Sequence, residues 1–182
     1  MTVRPIYITP HPVLKKAAAA VDKIDSEVTT LLDDMLESMY AASGIGLAAP
    51  QIGISRRVVV MNIDRDEEKK IDGTPLLLVN PEILWTSEEP NVYEEGCLSI
   101  PMQYAEIERP KQVRVRYLDK TGAMQEVLAD GLLATCLQHE IDHLNGILFT
   151  DHLSSLKRDM IIRKVKKWSK ENSDLIGKTH IL

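Results

Sequence analysis

Two histidines four residues apart indicate what chemistry this 182-residue chain performs. The run His139-Glu140-Ile141-Asp142-His143 has the pattern H-E-x-x-H. On a helix, positions i and i+4 lie on one face, so both imidazoles can bind the same metal ion. Glu140 directly follows the first histidine, where a carboxylate can take a proton from metal-bound water without being a ligand itself. The pattern therefore predicts a metal site that hydrolyses its substrate.

A catalytic metal usually has three protein ligands and one open position, so a third ligand is needed. Phe149 stands where proteases with the longer pattern H-E-x-x-H-x-x-G-x-x-H carry a third histidine, and Glu171 lies in a lysine-rich segment. Cys136 and His143 are about 10 Å apart along a helix axis, too far for one ion to bind both. Cys97 is the remaining candidate. Spacing alone does not distinguish a ligand at Cys97 from a buried structural thiol.

Hydrophobic periodicity places the H-E-x-x-H pattern on a buried helix. The predicted helix covers residues 131–144, begins after a cap at Asp130 and ends at Asn145-Gly146. Apart from one polar stripe it is apolar nearly all round, which is typical of a buried helix. An earlier helix is predicted at residues 26–40, and a short one is predicted at residues 15–21.

The middle of the chain is rich in aliphatic and β-branched residues and predicts a sheet. Strands are expected at residues 58–61, 76–79, 83–85, 113–117 and 124–128. The last two form a hairpin, because residues 119–122 have turn chemistry. The charged run at residues 64–73 predicts a solvated surface loop. Helix, mixed or antiparallel sheet, buried helix and terminal helix, in this order, indicate an α+β fold.

The terminal helix is predicted to be basic and amphipathic, at residues 153–169 within a segment that covers 151–170. One apolar stripe is expected to pack on the core and consists of Leu156, Met160, Ile161, Val165 and Trp168. The other faces carry seven cations: Lys157, Arg158, Arg163, Lys164, Lys166, Lys167 and Lys170. The simplest interpretation of these cations is a solvated helix face.

Length and composition exclude several classes of protein. We expect one catalytic domain over residues 1–182, because the chain is too short for two ordinary domains. With 22 basic and 27 acidic residues, the formal net charge is −5, which argues against nucleic-acid binding by the whole chain. No apolar run approaches the ~20 residues of a transmembrane helix, and no export signal is recognisable, so membrane and secreted proteins are disfavoured. Two cysteines cannot form a disulfide framework, and we expect both to be reduced.

Three motifs occur in this order: GIGLAAPQ at residues 44–51, EGCLS at residues 95–99 and QHEIDHLNG at residues 138–146. Together they resemble, in the same order, the motifs of bacterial peptide deformylases. Residues 44–51 (GIGLAAPQ) are similar to the family motif G-x-G-x-A-A-x-Q. Residues 95–99 (EGCLS) are similar to E-G-C-L-S, and residues 138–146 (QHEIDHLNG) to Q-H-E-x-D-H-L-x-G. Length and element order also fit, so the resemblance covers essentially the whole chain. It implies a small, single, compact α+β domain in which antiparallel sheets surround the H-E-x-x-H helix.

The resemblance implies a cytoplasmic bacterial enzyme that removes the formyl group from the N-terminal formyl-methionine of new polypeptides. By position, its metal ligands are Cys97, His139 and His143, with water in the fourth place. One divalent ion per chain is expected. The family resemblance suggests Fe²⁺, while Zn²⁺ and other divalent ions also suit cysteine and histidine ligands.

The resemblance also assigns roles around the metal. Glu140 is the general base, which takes the proton of the water and later passes it to the leaving amine. The Gln51 side chain and the backbone N–H of Leu98 are expected to bind the oxyanion. Glu95 can pair with Arg109 and brace the site from behind.

An apolar pocket beside the metal is implied for the methionine side chain. Its expected substrate-binding residues are Gly44, Ile45, Gly46, Leu132, Thr135 and Cys136. Glycines there allow a close approach of backbone and substrate. Two positions depart from the family pattern. Thr135 stands where an aliphatic residue is common, and Tyr104 stands where many relatives carry an arginine that can contact the peptide beyond the methionine.

The expected partners are N-formyl-methionyl peptides, and neither DNA nor a membrane. Some deformylases of this architecture use a C-terminal helix at the ribosome, so the resemblance adds ribosomal RNA as a partner of the basic helix. Two other functions fit H-E-x-x-H: a general metallopeptidase, and a structural metal site in a binding module. A structural site has four protein ligands, and no fourth ligand is obvious because His152 lies beyond the end of the helix.

Overall fold

The computed structural model of the chain describes residues 2–64 and 73–172. The helices are α1 (Ser26–Ala41), α2 (Gly131–Leu144) and α3 (Ser155–Glu171). The strands are β1 (Gly46–Ala48), β2 (Val58–Met61), β3 (Leu76–Thr86), β4 (Pro90–Cys97), β5 (Ile100–Pro110), β6 (Gln112–Leu118) and β7 (Met124–Asp130). Single 3₁₀ turns occur at Pro12–Lys15, Ala49–Ile52 and Phe149–His152. Most of the predicted loop at residues 64–73 lies outside the described residues.

The strands form two antiparallel sheets. One sheet has five strands in the order β1-β2-β3-β6-β7, and the other is a two-stranded ribbon of β4 and β5. The sequence predicts mixed or antiparallel sheets. In the described residues every pair of named strands is antiparallel, so both sheets are antiparallel. The predicted α+β class is confirmed.

The five-stranded sheet is covered on both faces at its β1–β2 end. Val58 and Val60 pack in one apolar cluster with α1, whereas Val59 and Met61 pack in another with α2. This division follows from the alternation of side chains along a strand. All four residues of β2 are therefore buried, which explains why its sequence is continuously apolar. Helix α2 lies in the interior and is held in place by the sheet.

Helix α3 is attached to the ribbon by a third apolar cluster. Ile161 and Val165 are buried together with Ile107 of β5 and Phe149. The predicted apolar stripe is only partly correct, because Leu156 is 72% exposed and Met160 49% exposed. The helix begins at Ser155 rather than at residue 153. The Ser154 side chain caps it by accepting a hydrogen bond from the backbone N–H of Lys157.

Three local predictions are wrong. No helix forms at residues 15–21. Instead, extended backbone at Ala18 and Ala19 donates to the carbonyls of Leu144 and Ser55, which fixes this segment to the body of the protein. The two strands predicted around Pro81 form the single strand β3, which continues through register shifts. Asp130 occupies the cap position of α2, but its side chain makes no capping hydrogen bond.

Helix α2 itself has the predicted bounds, and α1 extends one residue beyond those predicted. Asp25 caps α1 by accepting from the backbone N–H groups of Glu27 and Val28. Among the helices in the described parts of the chain, none is long and apolar enough to cross a membrane.

Candidate metal centre and substrate cavity

Three predicted ligands meet where the end of β4 lies against α2. Cys97 is the last residue of β4, and the ladder with β5 shifts register there as the chain turns back. His139 and His143 lie on one face of α2. One side-chain ligand atom from each of the three residues lies within 4.8 Å of the other two, and Cys97 Sγ is 3.2 Å from His143 Nε2. A thiolate and two imidazoles at this separation can bind one divalent ion.

The imidazole of His139 is oriented by a buried ion pair between Glu95 and Arg109. Its Nδ1 is 2.8 Å from Oε2 of Glu95, which leaves Nε2 for a metal. Arg109 donates to both carboxylate oxygens of Glu95, from Nε at 2.5 Å and from Nη2 at 3.1 Å. Burial acts to raise the pKa of Glu95, but the hydrogen bonds with His139 and Arg109 outweigh it, so this pKa lies below its usual value. The predicted brace between Glu95 and Arg109 is thus present as a contact.

The same arginine continues the network along α2. Nη1 of Arg109 donates to Oδ2 of Asp142 at 2.8 Å, and that oxygen is also 2.8 Å from Nε2 of His152. Sequence reasoning missed this extension. Asp142 lies between the two histidines of the motif, and its carboxylate contacts Arg109 and His152. The i, i+3 spacing from His139 was the available signal, because it places Asp142 on an adjoining face of the helix.

Glu140 is buried at the inner end of a cavity. Burial raises the pKa of this carboxyl to about 7, a suitable value for a group that accepts and returns a proton near neutral pH. Its Oε2 is buried without a hydrogen-bond partner in the described structure. A Cβ atom on Gly46 would lie 2.5 Å from Glu140 Oε1 and 3.0 Å from Cys136 Sγ. Only glycine at position 46 therefore leaves room for the carboxylate.

The amide of Gln51 is fixed with its N–H groups toward Cys97 and Ser99. Oε1 accepts from the backbone N–H of Ala48 at 2.8 Å, which determines the orientation of the amide. Nε2 then donates to Ser99 Oγ at 3.1 Å and lies 3.5 Å from Cys97 Sγ. Leu98, the other predicted oxyanion donor, follows Cys97 at the cavity wall.

The cavity has a volume of about 710 Å³ and brings the predicted site residues together. All six predicted substrate-binding residues line it, together with Gln51, Cys97, Leu98, His139 and Glu140. His143 is buried behind this surface. The hydroxyl of Thr135 donates to the carbonyl of Gly131 at 3.2 Å. The hydroxyl is therefore hydrogen-bonded within its own helix. A threonine at position 135, in place of the aliphatic residue common in the family, adds no unpaired hydrogen-bond donor to the pocket.

Cys136 lines the cavity but does not belong to the group of ligand atoms formed by Cys97, His139 and His143 in the described residues. Burial raises the pKa of its thiol well above the usual value, which favours the neutral thiol. A Cβ on Gly46 would lie 3.0 Å from its sulfur. Both cysteines are free thiols. The structure thus agrees with the interpretation of Cys136 as a small apolar side chain.

The rim of the cavity is formed largely by β4 and β5. Tyr104 lies with its ring over Gly96, and a Cβ on Gly96 would be 2.6 Å from Tyr104 Cε1. Met102 has a φ of 59°, an uncommon conformation for a residue with a side chain, and its side chain is exposed. The sequence analysis does not predict these two long strands. It identifies Tyr104 as a departure from the family pattern but not the residues that surround it.

The donor set, the unpartnered carboxylate of Glu140 and the open cavity beside them fit a metal-dependent hydrolase. Three protein ligands are grouped in the described residues, which is typical of a catalytic rather than a structural metal. The family model for polypeptide deformylase matches residues 3–159, and the chain belongs to this family. Members of this family are metal-dependent enzymes that remove the formyl group from nascent peptides.

Two comparisons with relatives extend over nearly the whole chain. Peptide deformylase from Bartonella henselae is 56% identical over 173 residues, which are 95% of this chain and 97% of that protein. Peptide deformylase from Agrobacterium fabrum is 56% identical over 167 residues, 92% of this chain and 96% of that protein. The activity predicted from the three motifs is therefore confirmed at the level of the family.

Solved structures give the same result for the fold. The crystal structure of peptide deformylase from Ehrlichia chaffeensis is 44% identical, with a TM-score of 0.86 over 96% of this chain and all of that one. A second structure of that protein, in complex with actinonin, has the same identity and TM-score and covers 92% of this chain and 98% of the other.

Proposed function

We propose that this chain deformylates N-formyl-methionyl peptides with Cys97, His139 and His143 as metal ligands and Glu140 as general base. The observation that supports these roles is the convergence of three ligand atoms beside a buried carboxylate that has no partner in the described structure. When bound, the metal ion supplies Lewis-acid chemistry at the formyl group and lowers the pKa of water. Every proton transfer is then left to side chains of the protein.

In this proposal Glu140 holds the proton during the reaction. Its carboxylate accepts a proton from the attacking water, and the carboxyl group then returns the proton to the methionine nitrogen as the C–N bond breaks. Formate and a free amino terminus are the products. A pKa of about 7 allows both transfers near neutral pH. The metal ligands keep their orientation through the contacts of His139 with Glu95.

We propose two further roles in the cavity. The Nε2 group of Gln51, held by the contact of its carbonyl with Ala48, donates to the formyl oxygen together with the backbone N–H of Leu98. The methionine side chain packs against the apolar wall formed by Ile45, Leu132 and the methyl group of Thr135. Gly44 and Gly46 allow the substrate backbone to pass close to this wall.

The metal we propose is Fe²⁺, one ion per chain. One thiolate and two imidazoles suit Fe²⁺ and Zn²⁺ alike, so the ligands do not choose between them. Metal analysis after anaerobic purification tests the proposal. We expect about one iron per chain, and a preparation that is fully active with zinc and contains no iron contradicts it.

The activity itself is tested with a matched pair of peptides. We expect rapid release of formate from formyl-Met-Ala-Ser, and turnover of acetyl-Met-Ala-Ser that is lower by at least about 100-fold. The acetyl methyl group is bulkier than the formyl hydrogen, and a close-fitting site rejects it. Equal rates for the two peptides indicate a general amidohydrolase instead. Cleavage at internal peptide bonds indicates a metallopeptidase.

We also propose that residues 1–182 act as one catalytic domain in the bacterial cytoplasm, where formylated chains are made. The site supports a single unit, because Gly46 of β1, Cys97 of β4 and His139 of α2 all contribute to one cavity. Helix α3 is fixed to the same unit through Ile161 and Val165.

The basic helix α3 is proposed to bind ribosomal RNA. Six of its seven cations are exposed, and Arg163, Lys164 and Lys166 have no ion pair in the described structure. Binding to phosphates is expected to be independent of sequence and to weaken steeply with salt. The triple variant K164E/K166E/K167E is expected to co-sediment less with ribosomes at low salt, with unchanged turnover of short formyl-peptides. Unchanged sedimentation contradicts the proposal.

A further inference from the structure

His152 is the outer end of a chain of polar contacts that leads from solvent to the proposed ligand His139. Its Nε2 is 2.8 Å from Oδ2 of Asp142, and the same oxygen accepts from Nη1 of Arg109 at 2.8 Å. Arg109 donates to both carboxylate oxygens of Glu95, and Glu95 contacts Nδ1 of His139. The side chain of His152 is 37% exposed, whereas those of Arg109, Glu95 and His139 are buried. A side chain at the surface is therefore linked to a buried imidazole of the site.

The 3₁₀ turn that carries His152 also contacts His139 directly. Phe149 is the first residue of this turn and His152 the last. The ring of Phe149 is stacked with the imidazole of His139, with ring centres 6.2 Å apart and an angle of 23° between the planes. The four-residue turn thus acts on the same imidazole twice, by ring packing from one end and through polar contacts from the other.

This turn is held in place by contacts that do not involve the imidazole of His152. Phe149 is buried in the apolar cluster under α3. Oδ2 of Asp151 accepts from the backbone N–H of Leu148 at 2.7 Å and pairs with Lys15. The backbone of the turn is therefore fixed independently, and it presents the imidazole of His152 to α2.

The contact with His152 restrains the carboxylate of Asp142. A carboxylate oxygen accepts hydrogen bonds only, so Nε2 of His152 is the donor in this contact. Two donors on one oxygen, from His152 and Arg109, hold the partly exposed carboxylate in one orientation. Without His152, Arg109 is the one remaining side chain that donates to Asp142 within the described residues, and the carboxylate is free to turn toward solvent.

We propose that His152 is a positioning residue for the metal centre. It donates to Asp142 and so restrains Arg109, which holds Glu95 against the proposed ligand His139. This inference rests on the proposed function, since it concerns the same ligand. His152 does not line the cavity, so it affects how firmly the metal is held and how fast the enzyme turns over, and not the binding of substrate.

The test measures how fast the zinc-loaded protein releases its metal to excess EDTA. Zn²⁺ is used because it has no redox chemistry. His152→Leu keeps much of the side-chain volume and removes the donor. We expect it to release zinc about 3- to 10-fold faster than the wild type, less than the 10- to 100-fold effect on metal affinity that is typical of groups in direct contact with a ligand.

The kinetic constants and a conservative variant sharpen this test. In His152→Leu, kcat for formyl-Met-Ala-Ser should fall about two- to fivefold while KM stays within about 1.5-fold, the pattern of a group that does not bind the substrate. His152→Gln retains an N–H donor and should return both kcat and the rate of zinc release to within about twofold of the wild type.

Two controls separate this role from a general loosening of the turn. Ser154→Ala removes the cap of α3 two residues after His152, and should lower the urea midpoint of unfolding without changing zinc release. Arg109→Lys removes the planar fork that binds two carboxylates at once. His152→Leu added to Arg109→Lys should change zinc release by less than about 1.5-fold, because a residue that acts through Arg109 has no effect without it.

Four results overturn the proposal. They are unchanged zinc release in His152→Leu, a His152→Gln protein that releases zinc as fast as His152→Leu, equal acceleration by Ser154→Ala, and full acceleration by His152→Leu in the Arg109→Lys background. A zinc-loaded wild type that releases no formate contradicts the proposed function, and zinc release alone then decides the role of His152. A wild type that binds no zinc contradicts both.

Discussion

Helices α2 and α3 direct their polar side chains in opposite directions. In α2, Gln138, His139 and Glu140 are buried. Gln138 donates to the carbonyls of Pro110 and Ala134, and His139 is bound to Glu95. In α3 only Ile161 and Val165 are buried, and the charges face solvent. The difference indicates that α2 depends on specific side-chain contacts and α3 does not. A buried polar group needs a particular partner in the protein, whereas a solvated one needs none.

The largest difference is expected for the two cysteines of the site. Cys97→Ser removes a proposed metal ligand and should weaken metal binding by at least about 100-fold, more than the loss typical of groups that only orient ligands. Cys136→Ser, in α2 itself, should retain one metal per chain. Metal content of the purified variants checks this. If burial alone made the site sensitive, Cys136→Ser would lose its metal as Cys97→Ser does.

Removal of Arg109 should break the buried network that links α2 to Glu95 of β4. Arg109→Met leaves Glu95 and Asp142 without their shared cation, and loss of one partner of a buried ion pair costs about 3–5 kcal/mol. The urea midpoint of unfolding measures this loss. The matched control is Lys111→Met, which removes the exposed pair with Glu89 and should change the midpoint little. Equal shifts for both variants would show that the buried network does not stabilise the fold.

A smaller effect is expected where β1 touches α2. Gly46→Ala places a methyl group against the Glu140 carboxylate and should lower kcat about 10- to 100-fold, because small displacements of a catalytic group are costly. Metal content should stay at one per chain. The control is Gly122→Asn in the turn after β6, outside the cavity, since nothing lies within 4 Å of its Cβ and asparagine tolerates the left-handed backbone there. Wild-type kcat in Gly46→Ala would show that Glu140 does not act from its position in the structure.

The smallest effect is expected on the exposed part of α3. Leu156→Ser should change the free energy of unfolding by less than about 0.5 kcal/mol, as is usual for surface positions. Ile161→Ala on the same helix should cost about 2–4 kcal/mol, because it empties part of the cluster under α3. Urea unfolding of both variants tests this. A large loss for Leu156→Ser would show that the apolar stripe is packed along its whole length.

The sequence predicts the elements that rest on local patterns. Helix α2 has an apolar surface interrupted by one polar stripe and ends before glycine, and its predicted bounds agree with the structure. The H-E-x-x-H spacing also places both histidines on one face. In contrast, the assignment of Cys97 needed the resemblance to a family, because the contact between β4 and α2 joins residues more than 40 positions apart.

The ribbon of β4 and β5 could not be predicted in the same way. Glu94, Tyr104 and Glu106 are exposed on one face of the ribbon, and only the other face is buried. The apolar residues of that one face form only a weak pattern in the sequence. That face is completed by residues from α3 and by Phe149, which are distant in sequence. Strand β3 is predicted as two strands, at residues 76–79 and 83–85, yet it continues past Pro81 with a register shift. Tertiary packing determines both the formation of the ribbon and the length of β3.

The central claim is that Cys97, His139 and His143 hold the metal while Glu140 moves the proton. Glu140→Ala tests it in one preparation, by metal content and by formate release from a formyl-Met peptide. The account predicts one metal ion per chain, as in the wild type, and a kcat lower by about 10²–10⁴-fold, the usual contribution of a general base. A metal-free Glu140→Ala protein, or one that retains wild-type turnover, would contradict this division of roles.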